Sequence, residues 1–224
     1  MPSTPFETQD FAQTAKISGD LIPEPLATKI NEFRHGLGSF PEFELDFFRK
    51  RVRRHPEMRG KDGLVFGRPR AIYDGHWFLF TVGGDQDEVQ LGVGMWSDKI
   101  RVGMGFQIGR QVEPKMPVFR VLQSFLGMRP PLPFRDALYR SIKRNKFLLI
   151  EYSEEEQHVM DADEILRRLE TLVVSGETYV FLGSLWDAET ASSKTLDDYR
   201  LIFREFMPFY EELLLAGGRY EFYV

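Results

Sequence analysis

The 224-residue chain contains 20 Phe and no Cys. It therefore has ample apolar volume for a core, and disulfides, cysteine-ligated metals and thiol nucleophiles are excluded. No apolar run approaches the roughly 18 residues of a membrane span, and the N-terminus lacks the basic and apolar segments of a signal peptide. We therefore expect a cytoplasmic protein with no membrane partner.

The formal net charge of −5 conceals an uneven distribution of charge. Residues 49–70 hold nine Lys/Arg and two acids, a balance of +7, and residues 99–146 hold eleven and two, a balance of +9. Residues 147–224 hold six Lys/Arg and seventeen acids, a balance of −11. This asymmetry predicts an electropositive and an acidic surface. Two interpretations stay open: the opposite blocks pair with each other, or the basic surface binds a polyanion.

The N-terminal region divides into an arm and the start of a domain. The polar, aperiodic residues 1–21 predict a flexible arm, and 22–224 a single domain. A helix is expected at 25–35, ended by Gly36. Ser39 to Glu42 has the form of a capping box, which predicts a second helix over about 40–54.

Cations crowd the last turn of that second predicted helix. They are Arg49, Lys50, Arg51, Arg53 and Arg54. The helix dipole favours bases at this end, so part of the cluster is explained by structure. The excess predicts contacts with phosphate groups.

Strand patterns follow, and the clearest is a hairpin over 89–108. Residues 64–73 and 76–82 predict two strands around a two-residue turn at Asp74-Gly75. In the next pair, a turn at Ser97-Asp98 places Trp96 opposite Lys99, which fixes the register. One face then pairs only apolar residues: Met95 with Ile100, Val93 with Val102, Leu91 with Met104, and Val89 with Phe106.

The other face of this hairpin is rich in glycine, and we call it the glycine-paved face. It pairs Gly94 with Arg101, Gly92 with Gly103 and Gln90 with Gly105. Glycine inside a strand marks a close approach of something else. A helix of the same chain and an external ligand are both open interpretations. If the face is an open platform, Val in place of Gly103 should impair binding and cost little stability.

The rest of the chain alternates between helices and short strands. Helices are predicted at 117–126, at 133–144, from Asp161 to 174 and from Thr195 to Gly217, and strands at 147–151 and 178–183. Together with strands over about 64–110, this pattern predicts an α+β fold. We expect a twisted, mainly antiparallel sheet packed with helices.

Sequence motifs for catalysis are sparse. The four His lack metal-ligand spacing, and no cofactor motif has its required context, so we expect no cofactor and no bound metal. Asp74 and Glu88 loosely match the carboxylates of metal-dependent nucleases, but Gln90 stands where a Lys is expected. A nuclease using these two residues stays an alternative.

Aromatic residues near strand ends suggest a pocket for a base. The candidates are His76, Trp77, Trp96, Trp186 and Asp187. Rings can stack a base that has left a duplex, and a carboxylate can bond its polar edge. Lys99 and Arg101 would then hold phosphates beside this pocket. Burial of each Trp in the core is the alternative.

Several of these segments match a known kind of protein. The segments are Gly75-His-Trp-Phe-x-Phe-x-x-Gly-Gly84, Glu88-Val-Gln-Leu-Gly-Val-Gly94, Ile100-Arg-Val-Gly-Met-Gly-Phe106 and Thr178-Tyr-Val-Phe-Leu-Gly183. Over about 75–211 the chain resembles the N-terminal DNA-recognition domains of McrB-like and HNH-linked modification-dependent restriction systems. The resemblance implies a domain that reads DNA, with a modified base as one candidate target. It also implies a nuclease on another domain or partner chain, because the HNH pattern is missing here.

The sequence therefore favours a DNA-binding recognition module of a bacterial restriction or defence system over an enzyme. A protein-interaction module that uses the acidic C-terminal half is a further alternative.

Overall fold

The computed structural model describes residues 4–14, 23–40, 52–54, 64–66, 77–82, 90–108, 133–152, 156–175, 178–216 and 220–222. No helix within these ranges is long and apolar enough to cross a membrane.

Helices and strands both contribute to the fold, and the expected α+β class is confirmed. The helices are α1 (Thr8–Phe11), α2 (Glu24–Gly38), α3 (Pro133–Asn145), α4 (Ala162–Ser175), α5 (Ala188–Ser192) and α6 (Leu196–Ala216). The strands are β1 (Val52–Arg54), β2 (Leu64–Phe66), β3 (Trp77–Val82), β4 (Gln90–Met95), β5 (Lys99–Ile108), β6 (Leu148–Tyr152), β7 (Glu156–Val159), β8 (Thr178–Asp187) and β9 (Tyr220–Phe222).

Seven strands form the main sheet, in the order β2-β3-β4-β5-β8-β6-β7. Every neighbouring pair is antiparallel. Strand β8 lies between β5 and β6, so it joins the meander β2–β5 to the hairpin β6–β7. It pairs with β5 over ten residues, from Lys99 opposite Asp187 to Ile108 opposite Thr178.

The register predicted for the β4–β5 hairpin is confirmed from Gln90 opposite Gly105 to Met95 opposite Ile100. Its apolar face is buried, with each side chain at most 2% exposed. The side chains on this face are Leu91, Val93, Met95, Ile100, Val102 and Met104. Strict alternation sets the register because a slip by one residue would expose all of them.

The four long helices pack their apolar stripes into the same core as this face. In α2 the stripe is Leu26, Ile30, Phe33 and Leu37, at the spacing of one helix face. Helix α6 contributes Tyr199, Phe203, Phe206, Phe209 and Tyr210.

Two predicted helix starts have the expected capping bonds. Asp161 Oδ1 accepts a hydrogen bond from the Glu164 backbone N–H at 2.9 Å before α4. The Thr195 N–H donates to Asp198 Oδ2 at 2.7 Å before α6. These bonds satisfy backbone donors and a side-chain acceptor at the helix entry.

Helix α2 is longer than predicted. It continues through Gly36 to Gly38, because Leu37 extends the buried stripe and is only 3% exposed. Ser39 was predicted to cap the next helix, but it caps the end of α2, and its hydroxyl donates to Gly36 O at 2.6 Å.

The predicted helix over 40–54 is wrong at its end. Val52–Arg54 form β1, which pairs antiparallel with β9 near the C-terminus. In this pairing Arg53 lies opposite Glu221. Pairing with a distant segment has overridden the local helical pattern, and residues 41–51 lie outside the described ranges.

The hairpin predicted around Asp74-Gly75 has a different register. A two-residue turn there would place Phe66 opposite Gly83, whereas Phe66 lies opposite Phe80. The turn itself lies outside the described residues, as does the helix predicted at 117–126.

Residues 4–14 belong to the packed fold, contrary to the expectation of an arm. Phe6 and Phe11 are fully buried, and the Phe6 and Phe33 ring centroids are 5.2 Å apart. The nearly buried Asp10 carboxylate accepts hydrogen bonds from Lys29 Nζ at 2.8 and 2.9 Å. Two phenylalanines in a polar segment can anchor it, although the composition alone favours disorder.

A close contact between β5 and β8 gives a stability prediction. Gly103 lies opposite Gly183, and a Cβ on Gly103 would fall against Leu182 O and lie 2.7 Å from Gly183 Cα. We expect Gly103→Ala to lower the free energy of unfolding by about 1–3 kcal/mol through overpacking. Urea denaturation measures this loss.

The matched control is Gly36→Ala in α2. The nearest atoms to its Cβ would all belong to the Leu196 side chain, and the nearest is the flexible Cδ2 methyl at 2.8 Å. The gain in helix propensity, up to about 1 kcal/mol, should offset the adjustment of that methyl. Equal losses for the two variants would contradict the contact between the strands.

Candidate functional site

The glycine-paved face of the sheet contains a buried arginine. Arg101 on β5 is 0% exposed. Its guanidinium carbon lies 4.5 Å from the Phe181 ring centroid, 4.9 Å from that of Trp96 and 5.8 Å from that of Tyr179. Because the arginine is enclosed by these rings, its charge does not face solvent, and the prediction that Arg101 holds a phosphate at an open surface is wrong.

The glycines of this face make room for the same rings. A Cβ on Gly94 would lie 2.7 Å from Trp96 Cη2, and one on Gly105 would collide with the Tyr179 hydroxyl. A Cβ on Gly103 would collide with the backbone of β8. The expectation that Val at Gly103 would cost little stability is therefore wrong, because Gly94, Gly103 and Gly105 form a packing seam rather than a platform.

Lys99 lies at the rim of this buried cluster and is half-buried. Its Nζ is 5.8 Å from the Trp96 ring centroid, a distance that allows a cation–π interaction. Lys99 is thus the one of the two predicted phosphate-binding residues on β5 that retains solvent access.

The tryptophans predicted to line a base pocket are dispersed. Trp186 lies opposite Ile100, on the core face, and contacts the Tyr199 ring edge-on at 5.2 Å. Trp96 lies on the opposite face of the sheet, over Gly94 and Arg101. A single pocket containing both rings is therefore excluded. Trp77 lies opposite Gly94 in the register, and His76 lies outside the described residues.

Asp187 has a structural role as the N-cap of α5. Its Oδ1 accepts a hydrogen bond from the Thr190 backbone N–H at 2.7 Å. This backbone bond lowers the pKa of the Asp187 carboxyl below its ordinary value. This capping role explains why an aspartate occupies position 187, and no contact with a nucleobase is needed to explain it.

The predicted basic cluster and nuclease carboxylates are described only in part. Arg53 and Arg54 lie on β1, opposite Glu221 and Tyr220. The remaining members lie outside the described ranges: Arg49, Lys50, Arg51, Asp74 and Glu88. Among the residues that the structure describes, no three His, Asp or Glu side chains are grouped to hold a metal ion.

A basic surface on α3 was not among the predicted site residues. Arg135 binds Glu170, with Nη2 2.8 Å from Oε1, and Arg144 binds Glu205. Arg140, Lys143 and Lys146 are exposed, and none forms an ion pair with any described residue. We call these three residues the α3 cation row.

The sequence contained a signal for this row in the +9 balance of residues 99–146. The helical period also places Arg140, Lys143 and Arg144 on the outer side of α3. It could not show which of these cations are neutralised, because the partners Glu170 and Glu205 come from distant helices.

A cleft of about 340 Å³ adjoins the α3 cation row, between the end of α3 and the start of α4. It is lined by Tyr139, Ile142, Lys143, Lys146, Met160, Asp161, Ala162 and Asp163. The Tyr139 hydroxyl donates to Asp163 Oδ2 at 3.3 Å, and Lys143 Nζ lies 5.8 Å from the Tyr139 ring centroid. Ammonium groups, an aromatic ring and carboxylates thus meet at one concave site.

Sequence comparison finds no protein-family model and no curated protein that matches this chain.

The role of Asp187 gives a prediction about stability and pH. We expect Asp187→Ala to lower Tm, because the Thr190 N–H loses its acceptor, and Asp187→Asn to lose less, because Asn also caps helices. The pKa of Asp187 is lower in the folded protein than its ordinary value. The ionised carboxylate therefore stabilises the fold at pH values above the ordinary Asp pKa, and this stabilisation is lost as the pH falls through the folded-state pKa. The Tm difference between wild type and Asp187→Ala should therefore shrink in acid.

Thermal melts from neutral pH to about pH 3, below the ordinary Asp pKa, measure this difference. A Tm for Asp187→Ala equal to that of wild type at neutral pH would contradict the capping role.

Proposed function

We propose that this chain is a DNA-binding module and that the α3 cation row, Arg140, Lys143 and Lys146, contacts phosphate groups. The observation that carries the proposal is that these three exposed cations form no ion pair with any described residue. Phosphate backbones attract such groups by releasing condensed counterions, and this term dominates binding that does not depend on sequence.

The charge blocks of the sequence pair only in part, which supports the proposal. Arg135 and Arg144 from the basic block bind Glu170 and Glu205 from the acidic block. Pairing within the chain therefore accounts for these two cations. The α3 cation row is what remains on this helix, and an external polyanion is its natural partner.

The helix dipole is a competing explanation for basic residues near the end of α3. Cations there interact favourably with the C-terminal partial charge. Lys146 lies beyond the last helical residue, Asn145, in a turn with a positive φ of 54°. A dipole does not require a lysine in that conformation, which costs about 1–2 kcal/mol outside glycine.

The finer proposal is a cytoplasmic recognition module of a bacterial restriction or defence system that reads a modified base. Its support is the sequence resemblance over about 75–211, which also suggests a nuclease on another domain or partner chain. The site supports this proposal through binding chemistry, with ammonium groups for phosphate and Tyr139 for stacking.

Charge reversal on α3 tests the proposed function. We expect wild type to bind duplex DNA, with an affinity that falls steeply as salt rises. Arg140→Glu and Lys143→Glu should each weaken binding about tenfold, or about 1.4 kcal/mol. Each should also reduce the slope of log K against log salt by about 1, the value for one lost phosphate contact. Fluorescence anisotropy at several salt concentrations measures both quantities.

The matched control is Arg167→Glu, the same change at an exposed arginine of α4. Asp163, Glu164 and Glu170 lie on that helix, so its surface is unsuited to phosphate. Arg167→Glu should retain nearly full affinity. If Arg167→Glu and Arg140→Glu weaken binding equally, the effect comes from net charge and not from a contact at α3. If wild type does not bind DNA at low salt, the proposal is refuted.

A further inference from the structure

We propose that the cleft between α3 and α4 binds a single nucleotide. Its phosphate lies between Lys143 and Lys146, its base lies against Tyr139 and Met160, and an amino group of the base faces Asp163. The inference rests on the proposed function in one respect: the same two lysines would also contact the phosphates of DNA. The nucleotide is either free in solution or an unpaired residue of a strand, and the two sources share this chemistry.

The size and lining of the cleft suit such a ligand. Its volume of about 340 Å³ lies within the range of small-molecule sites, roughly 300–1,000 Å³. Ile142 is buried in the core, Tyr139 and Ala162 are partly exposed, and these groups line the cleft together with charged side chains. Ligand pockets combine apolar groups with polar groups that fix the orientation of the ligand, and this cleft holds both kinds.

Charges of opposite sign line the two sides of the cleft. Lys143 belongs to α3 and Lys146 follows it, whereas Asp161 and Asp163 belong to the start of α4. Asp161 Oδ1 is occupied by the α4 cap, and Asp163 Oδ2 receives the Tyr139 hydroxyl. Asp163 can accept further hydrogen bonds, because a carboxylate has about four acceptor sites. This polarity favours a ligand with an anion at one end and N–H donors at the other.

Nucleotides with an exocyclic amino group have this arrangement. Adenine and cytosine present an amino donor, whereas uracil presents a carbonyl oxygen at the corresponding position. A carboxylate accepts hydrogen bonds and repels a carbonyl oxygen. The cleft should therefore prefer AMP and CMP to UMP.

The backbone at Lys146 ends α3 and fixes the position of this lysine at the cleft. Lys146 is the one non-glycine residue with positive φ in the described chain, at 54°. Glycine is the favoured residue immediately after a helix in this conformation. The Phe147 backbone N–H donates to Ile142 O at 3.1 Å, the hydrogen bond of a helix C-terminal motif. A lysine in the place of glycine in this motif brings an ammonium group to the cleft.

Met160 is the second observation that points to a ligand. It is 74% exposed, the larger exposure of the two large hydrophobic side chains that are exposed in the described chain. Its side chain lines the same cleft as the Tyr139 ring. A base in the cleft would cover both groups, because a nucleobase has two apolar faces suited to stacking.

Isothermal titration calorimetry of the full chain with mononucleotides tests the inference. We expect AMP and CMP to bind at least tenfold more tightly than UMP, and AMP at least tenfold more tightly than adenosine, which lacks the phosphate. Lys146→Gly should weaken AMP binding about tenfold and raise Tm, because glycine relieves the positive φ. Tyr139→Ala should also weaken it about tenfold.

Arg140→Glu is the matched control, since Arg140 belongs to the α3 cation row but does not line the cleft. It should leave AMP affinity unchanged and still weaken duplex DNA binding. If AMP fails to bind while DNA binding follows the α3 cation row, the nucleotide inference is wrong and the proposed function stands. If AMP binds as described and DNA does not bind, the proposed function is wrong and the nucleotide inference is retained.

Competition distinguishes the two sources of the nucleotide. If AMP displaces a fluorescent single-stranded oligonucleotide, the cleft accepts a nucleotide within a strand. If AMP binds and displaces neither this strand nor a blunt duplex, its ligand is the free nucleotide. Wild-type AMP affinity in Lys146→Gly would overturn the assignment, and this result does not depend on the folding of Tyr139→Ala.

Discussion

The fold depends on the ten-residue antiparallel pairing of β5 with β8. These strands come from separate halves of the chain, and their pairing joins the β2–β5 meander to the β6–β7 hairpin in one sheet. At the Gly103–Gly183 pair the backbones approach so closely that each Cβ would collide with the opposite strand. The same alternation directs Val102 and Leu182 into the core and Arg101 and Phe181 to the other face.

This pairing also positions the candidate site. Helix α3 precedes β6, and β6 pairs with β8 from Leu148 opposite Gly183 to Tyr152 opposite Tyr179. Ile142 and Phe147 hold the end of α3 and the start of β6 in the core, at 1% exposure each. The turn between them contains Lys146, so the sheet fixes where the backbone of the cleft lies. The side chains of Lys143 and Lys146 line the cleft and remain exposed.

Local pattern was sufficient to predict much of the fold. The β4–β5 register followed from strict alternation, and the starts of α4 and α6 followed from capping residues whose partners lie three positions away. The failures involve partners distant in sequence. The pattern around Val52–Arg54 favoured a helix, and only the pairing with Tyr220–Phe222 makes it a strand.

The same distinction explains the outcome for the candidate site. Glycines on one face of β4 and β5 correctly indicated a close approach, but the rings that fill the space include Tyr179 and Phe181 from β8. No local rule identifies that partner. The exposed side of α3 could be predicted from its period, whereas the separation of paired from unpaired cations required the positions of Glu170 and Glu205.

Hydrogen–deuterium exchange with and without a duplex tests whether DNA binds at the end of α3. Added DNA should slow exchange most in peptides covering residues 139–147. Little change is expected in peptides from β8, whose backbone is paired on both sides. Protection confined to residues 49–54, or none across 139–147 under conditions where DNA is bound, would contradict binding at the end of α3.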